Sequence, residues 1–345
     1  MKPVSEIRIV NLPGADIQPD NFGVFDAELP ARLPDDSVLL RNDWFGVNAG
    51  MRSRIGQAPV SSANQKELTQ RYASQLGVGD VPQSDAVAQV LESTAANFKT
   101  GDWVVHIAPW RSRDVVPASK LRRVDVSPET PADMYLTALG HTAFTAYAGM
   151  VAIGKVTAQD TVYVSAAAGG VGSYAVQIAK LLGARVIGSA GSPGKLAYLL
   201  DDLKLASAFD YKQTRVADAL AAFAPEGLSL YYDNVGGEQL EAAIGAMGDH
   251  GRIVLCGMVS SYGGETPHGP RNLGLFIKRR LAMTGFTVLE HEPLRADFEA
   301  RMRRWISRNE IVIRSTQFQG LDALPQAFSS LLKGDTLGRT IVLTG

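Results

Sequence analysis

From Thr161 the chain repeats one alternation: a short unbroken apolar run, a turn, then apolar residues three and four apart. Val162-Tyr163-Val164 reads as a buried strand and Ala166 to Gly172 as a small-residue turn. Ala175, Val176, Ile178, Ala179 and Leu182 then mark one face of a helix, which Gly183 stops. Arg185-Val186-Ile187-Gly188 is the next strand. Further strands are expected at Ala208 to Tyr211, Leu228 to Tyr232, Arg252 to Cys256 and Leu281 to Phe286. Helical patterns lie between several of them, at Val216 to Phe223 and Gln239 to Met247. Strands alternating with helices predict an α/β, doubly wound parallel sheet. Tyr135, Leu136, Leu139, Ala143, Phe144, Ala146 and Tyr147 give a helical approach to it from Met134.

The two chain ends have another texture. Ile7 to Val10, Phe22 to Phe25, Ser37 to Leu40 and Trp103 to Ile107 are short apolar runs separated by Pro, Gly, Asp and Asn. Runs of that length and spacing predict a β-rich domain. Ser61 to Ser74 is polar and proline-free, and reads as a surface loop or a short helix. Beyond Asn309, Ile311 to Ile313 and Thr340 to Leu343 read as strands around a helix from Leu321 to Leu332, folding back onto the first domain.

The totals narrow the class. With 345 residues, 46% apolar and 20% charged, the chain has room for two cores. A net charge of −1 gives no electrostatic case for nucleic acid or an anionic membrane. No apolar run approaches a membrane span, and no basic segment followed by an apolar one opens the chain, so a cytoplasmic location is expected. A single cysteine, Cys256, leaves no internal disulfide framework.

The turn at 166–172 carries the chemistry. A pyrophosphate at a helix N-terminus meets unpaired N–H groups and the positive end of the helix dipole. Side chains at Gly169 or Gly170 would block its approach, and Gly172 lets the helix pack closely on the strand. The pattern is A-x-G-x-x-G from Ala167; with a strand before and a helix and strand after, it reads as dinucleotide binding rather than simple packing. Where an NAD site would carry an acid on the ribose, this chain has Ser189-Ala190-Gly191-Ser192 and then Lys195. Hydroxyls and a lysine suit a 2′-phosphate, which a carboxylate would repel, so NADPH is the expected cofactor. Lys195 also reads as an ordinary solvated helix residue.

Taken together, AAAGGVGSYAVQIAKLLGARVIGSAGSPGK at 166–195, FDYK at 209–212, YDNVGGEQLEAAI at 232–244 and GRIVLCGMVSSYGG at 251–264 form a specific cluster. GPRNL at 269–273, GDTLGRTIV at 334–342, PDNFGVFDAELP at 19–30 and VLLRNDWFGVNAGMRSRI at 38–55 extend it over nearly the whole chain. The chain resembles zinc-independent medium-chain dehydrogenases/reductases, in the group of prostaglandin/leukotriene B4 dehydrogenase, curcumin reductase and alkenal double-bond reductase. That resemblance implies a GroES-like β domain from residues 1–133 and 306–345, and a Rossmann domain from 134–305. It implies NADPH-dependent reduction of a carbon–carbon double bond conjugated to a carbonyl, with hydride to the β-carbon and a proton to the enolate. Relatives are commonly dimers, so a homodimer acting on a small molecule is implied.

The matched positions imply site residues. Gly169, Gly170, Val171 and Gly172 would face the pyrophosphate, and Ser192, Lys195 and Tyr211 the 2′-phosphate. Asn234, Cys256, Gly257, Phe286, Thr287 and Val288 would line the rest of the groove. Tyr211 reads equally as an aromatic ending a strand, and Cys256 as packing rather than a nucleophile. Tyr262, in a glycine-rich loop past the strand that ends near Cys256, reads alone as a loop aromatic; the resemblance makes it the candidate proton donor or enolate holder. His141 stands where relatives carry methionine, and reads either as a helix-start residue or as an acid/base group.

Other departures bear on the substrate. Relatives carry D-P-Y-M-R where this chain has Asn48-Ala49-Gly50-Met51-Arg52, so the tyrosine is replaced by Gly50 and an enlarged pocket is implied. Thr336 stands where an asparagine is usual. Trp44, Trp110, Tyr147 and Tyr262 are available as aromatic walls, with Trp44 and Trp110 reading equally as core. A catalytic zinc is not expected: there is one cysteine, and His106, His141, His250, His268 and His291 lack ligand-type spacing. A quinone oxidoreductase, another biosynthetic enzyme of this fold and an NADPH-binding protein with little turnover are the alternatives.

Overall fold

The computed structural model describes residues 4–56, 75–262 and 269–345. The polar stretch 61–74 lies outside the described residues. The chain divides into two compact units. One holds the chain up to Leu136 together with Thr316–Thr336 and Thr340–Gly345; the other holds Thr137–Ser315 with Leu337–Arg339.

The first unit is β-rich. β1 (Val4–Ile9) and β2 (Phe22–Ala27) pair antiparallel. β3 (Ser37–Gly46), β4 (Gln83–Ser93), β5 (Trp103–Pro109), β6 (Arg113–Pro117) and β7 (Arg122–Val124) belong to a larger antiparallel sheet. β4, β6 and β7 have no counterpart among the expected strands. β4 is rich in Ala, Ser and Gln, weak strand formers, and its two long neighbours β3 and β5 supply the pairing that its own side chains do not. The core gathers around Phe22, Trp110 and Phe328, whose ring centroids lie 5.7 to 6.5 Å apart in tilted and edge-on pairs. Trp110 is fully buried with Nε1 donating to Ser84 Oγ at 3.0 Å, so it is core and not a substrate wall.

The second unit is the expected doubly wound sheet. Its strands are β8 (Thr161–Val164), β9 (Arg185–Ala190), β10 (Ser207–Asp210), β11 (Leu228–Asp233), β12 (Met247–Leu255) and β13 (Ala282–Gly285). All pair parallel in the order β10-β9-β8-β11-β12-β13, with the order reversing between β8 and β11. The helices are α1 (His141–Ala148), α2 (Gly172–Leu181), α3 (Pro193–Ala197), α4 (Val216–Phe223), α5 (Gly237–Ala246), α6 (Gly274–Arg279) and α7 (Arg295–Ser307). Tyr147 on α1 is fully buried against Phe298 on α7, its hydroxyl donating to Asp297; it too is core rather than a substrate wall.

β14 (Ser315–Gln319), α8 (Leu324–Lys333) and β15 (Arg339–Leu343) close the chain, with β15 pairing β3 in the first unit's sheet. Residues 311–313 are not a strand. There the backbone is held by a side chain instead of a ladder: Val312 N–H donates to Gln177 Oε1 at 2.7 Å, and Gln177 Nε2 donates back to Val312 O at 3.2 Å.

Candidate functional site

The turn between β8 and α2 starts from a strained backbone. Ala166 has φ +47, the left-handed region that side chains other than glycine rarely adopt. Ala167 N–H donates to Ser189 O at 2.9 Å, and Gly338 N–H donates to Ala168 O at 2.9 Å, so β9 and the 337–339 segment brace the turn. Ser173 N–H already bonds Gly169 O at 2.9 Å. Gly169 and Gly338 form an isolated parallel bridge, which turns the Gly170 N–H towards the 337–339 segment. The N–H groups of Val171 and Gly172 precede the first available helical acceptor and form the open N-terminal end of α2.

The glycines here differ in what demands them. A Cβ on Gly172 would collide with the Ala166 carbonyl and crowd Ala167 Cα at 2.9 Å, so the close approach of the helix start to its own turn requires glycine. A Cβ on Gly170 would meet nothing nearer than Arg339 Cδ at 3.5 Å, an ordinary contact. Open N–H groups at the start of α2 fit a dinucleotide pyrophosphate.

At the end of β9 no carboxylate stands between Ser189 and Lys195. Ser189 faces inward, fully buried, with Oγ 2.9 Å from Tyr163 Oη and 3.2 Å from Gln239 Oε1. Ser192 caps α3 with an extended backbone, φ −161, and without a side-chain capping bond. Tyr211 follows β10, its N–H donating to Ala190 O at 3.1 Å, and its ring is 40% exposed. Ser192 and Lys195 thus follow the end of β9, and Tyr211 follows the end of the neighbouring strand β10.

The rim beyond β11 and β12 is organised by a residue the sequence reading passed over. Asp233 is fully buried, and its Oδ1 accepts from Tyr231 Oη at 2.6 Å and from the N–H groups of Val235 and Gly236, each at 2.8 Å. Its main-chain carbonyl accepts from Cys256 N–H at 2.9 Å and Gly257 N–H at 3.0 Å. One residue therefore fixes both the turn carrying Asn234 and the loop leading to Tyr262. Burial raises its carboxyl pKa. The signal was in the sequence: an acid ending an apolar strand and followed by Asn-Val-Gly-Gly. Asn234 is locked in turn, donating from N–H to Ser165 Oγ at 2.9 Å and from Nδ2 to Ser165 O at 2.8 Å.

Cys256 lies just past β12, where burial pushes its thiol up to about 12 and keeps it protonated. Tyr262 is half-buried nearby. Its hydroxyl oxygen accepts from Met258 N–H at 3.4 Å, and burial raises its pKa. His141 is the first residue of α1, half-buried, its carbonyl accepting from Thr145 Oγ1 at 2.8 Å. Tyr232 Oη donates to Thr145 O at 3.2 Å, tying α1 to the end of β11. Past β13, Phe286 and Thr287 are half-buried and Val288 is buried, with Phe286 edge-on to His291 at 5.9 Å.

In the first unit, Asn48 Nδ2 donates to Asp85 Oδ1 at 2.7 Å, and buried Arg52 donates to Ile55 O and Gly14 O, each at 2.7 Å. Between them Gly50 is exposed, with nothing within 4 Å of where a Cβ would stand. Thr336 is buried.

A family model described as "Zinc-binding dehydrogenase" matches residues 170–308, and one described as "N-terminal domain of oxidoreductase" matches residues 5–124. Prostaglandin reductase 1 of Rattus norvegicus is 37% identical over 328 residues, covering 93% of each chain. The chain belongs to the medium-chain dehydrogenase/reductase family. A second relative in that family, the 2-alkenal reductase (NADP(+)-dependent) of Nicotiana tabacum, is 31% identical over 90% of this chain and 89% of its own. The crystal structure of CurA from Vibrio vulnificus in complex with NADPH superposes with a TM-score of 0.89 at 30% identity, covering 99% of both chains. Although one family model is described as zinc-binding, no group of three or more His, Cys, Asp or Glu is placed to hold a metal among the described residues of this medium-chain dehydrogenase/reductase.

Proposed function

We propose that this chain, an NADPH-dependent reductase of the medium-chain family, reduces a carbon–carbon double bond conjugated to a carbonyl. The observation that supports this most is Tyr262. Its phenol oxygen accepts a backbone N–H at 3.4 Å, which leaves the O–H proton unspent at the C-terminal rim of the sheet, where open α/β sheets bind ligands. The names of relatives such as 2-alkenal reductase support the same acceptor class.

NADPH, when bound, supplies the hydride. The N–H groups of Val171 and Gly172 hold the pyrophosphate alongside Gly169 and Gly170, and Ser192, Lys195 and Tyr211 hold the 2′-phosphate. Asn234, Cys256, Gly257, Phe286, Thr287 and Val288 line the remainder of the groove. Tyr262 hydrogen-bonds the acceptor's carbonyl oxygen as negative charge develops there and then gives the enolate its proton. His141 is the second candidate for that proton. The Cys256 thiol stays protonated and so is a poor nucleophile towards an electrophilic acceptor.

The test is NADPH consumption with a panel of enones, enals and quinones, with NADH in parallel. Turnover of enones and enals with NADPH is expected. Tyr262→Phe should lower kcat by about 10²-fold while leaving the KM for NADPH unchanged. Because burial raises the Tyr262 pKa above the ordinary phenol range, the phenol stays protonated across the neutral range, and kcat should show no loss from its ionisation there. Quinone turnover without enone turnover would replace the double-bond reading. A full loss in His141→Gln with none in Tyr262→Phe would move the proton to His141.

We also propose that the chain works as a homodimer. β13 ends the parallel sheet, and all four of its residues are exposed, whereas strands of such sheets are ordinarily covered on both faces.

A further inference from the structure

Gly191 is the residue after β9, and Tyr211 is the residue after β10; the preceding positions, Ala190 and Asp210, are register partners in the sheet. A Cβ built on Gly191 would lie 2.8 Å from Tyr211 Oη and 2.9 Å from its Cε1 and Cζ. Those distances are shorter than carbon contacts allow, so the phenol end of Tyr211 lies directly on the bare face of Gly191. Backbone conformation does not demand glycine there, because Gly191 is not among the glycines with positive φ.

We propose that Gly191 sets the selectivity for the 2′-phosphate by seating the Tyr211 ring. The proposal rests on the reading of Ser192, Lys195 and Tyr211 as the 2′-phosphate corner. The Tyr211 backbone is anchored to Ala190 O at 3.1 Å, while its ring is 40% exposed. When a methyl group is added at 191, the ring therefore swings outward and the sheet stays in place. Such a swing carries the hydroxyl out of hydrogen-bond range of a phosphate beside the first turn of α3, since these bonds weaken steeply with distance and angle. NADH carries a hydroxyl at that position and has no dianion for the phenol to recognise, so its binding is indifferent to the change. Gly191 is thus a positioning residue acting through Tyr211.

Calorimetric binding of adenosine 2′,5′-bisphosphate and of adenosine 5′-monophosphate to the full chain tests this without turnover. Gly191→Ala is expected to weaken the bisphosphate about tenfold, the scale of one lost charge-assisted hydrogen bond, with the monophosphate unchanged and the melting temperature within a degree or two. KM for NADPH should rise in step while KM for NADH stays. In a Tyr211→Ala background, Gly191→Ala should add nothing, because the group it displaces is gone. Additive effects, or a Gly191→Ala chain with unaltered bisphosphate affinity, would overturn the proposal. Should Gly191→Ala fail to fold, Tyr211→Ala alone decides: bisphosphate affinity equal to wild type sinks the seat. A wild-type chain that bound both nucleotides equally would instead sink the underlying reading of the corner.

Discussion

The imidazole of His106, on β5, donates from Nε2 to Asn42 Oδ1 at 2.8 Å, an orientation fixed because Asn42 Nδ2 donates to Arg111 O at 2.9 Å. Its Nδ1 is buried with no hydrogen-bond partner, and burial lowers its pKa from 6.5 to about 4. The unfolded chain therefore takes up a proton that the folded chain refuses. Stability is full above pH 6.5 and falls as the pH drops from 6.5 towards 4, by on the order of 3 kcal/mol when complete. Urea unfolding at pH 7 and pH 5 should show this loss, and His106→Gln should remove most of the difference. Sequence spacing excluded His106 from a metal site but carried no hint of this titration, which depends on neighbours 64 residues away. The same limit applied to Trp110, Tyr147 and Ser189. Aromatic and hydroxyl character were legible; which way each side chain faced was not.

Within the β8–turn–α2 element, composition and geometry agree closely, and two glycines can be separated by experiment. Gly170→Ala sets its methyl group in ordinary contact with Arg339, so it should keep the melting temperature. Gly172→Ala drives a Cβ into the Ala166 carbonyl, and should cost about 1–3 kcal/mol of stability as well as affinity. Thermal melts beside NADPH titrations distinguish them; equal stability losses in both would contradict the division of roles. α4 matches its expected bounds to the residue, and most strands of the second unit lie within a residue or two of theirs, because unbroken apolar runs and a 3.6-residue period are local signals; β12 starts five residues before the expected Arg252. The segment 311–313 misled for the opposite reason. Its apolar run is strand-like, but Gln177 takes the backbone groups a ladder would have used.

For the whole molecule, β13 and its surroundings make the sharpest expectation. Ile277 is 85% exposed on α6, Leu289 is 70% exposed, and Met283 on the edge strand is 40% exposed. An open parallel edge flanked by apolar side chains invites pairing with another chain. Light scattering should give about twice the mass of one chain, and Met283→Glu combined with Ile277→Arg should give a single chain that retains its far-ultraviolet circular dichroism. A wild-type monomer at micromolar concentration would rule this out. No helix among the described residues is long and apolar enough to cross a membrane.

By itself the sequence determined the doubly wound sheet, the β-rich unit drawn from both chain ends, and the glycine-rich strand-to-helix turn. Each of these is written in short-range patterns: unbroken apolar runs, helical spacing, glycines at a strand-to-helix junction, a missing acid at the next strand end. Tertiary structure decided what those patterns leave open. It made Asp233 the hub of two loops, set the phenol of Tyr211 on Gly191, left Gly50 bare, and turned Trp110 and Tyr147 into core. The physical reason is that burial and hydrogen-bond partnership are properties of pairs distant in the chain, whereas periodicity and turn chemistry belong to neighbours.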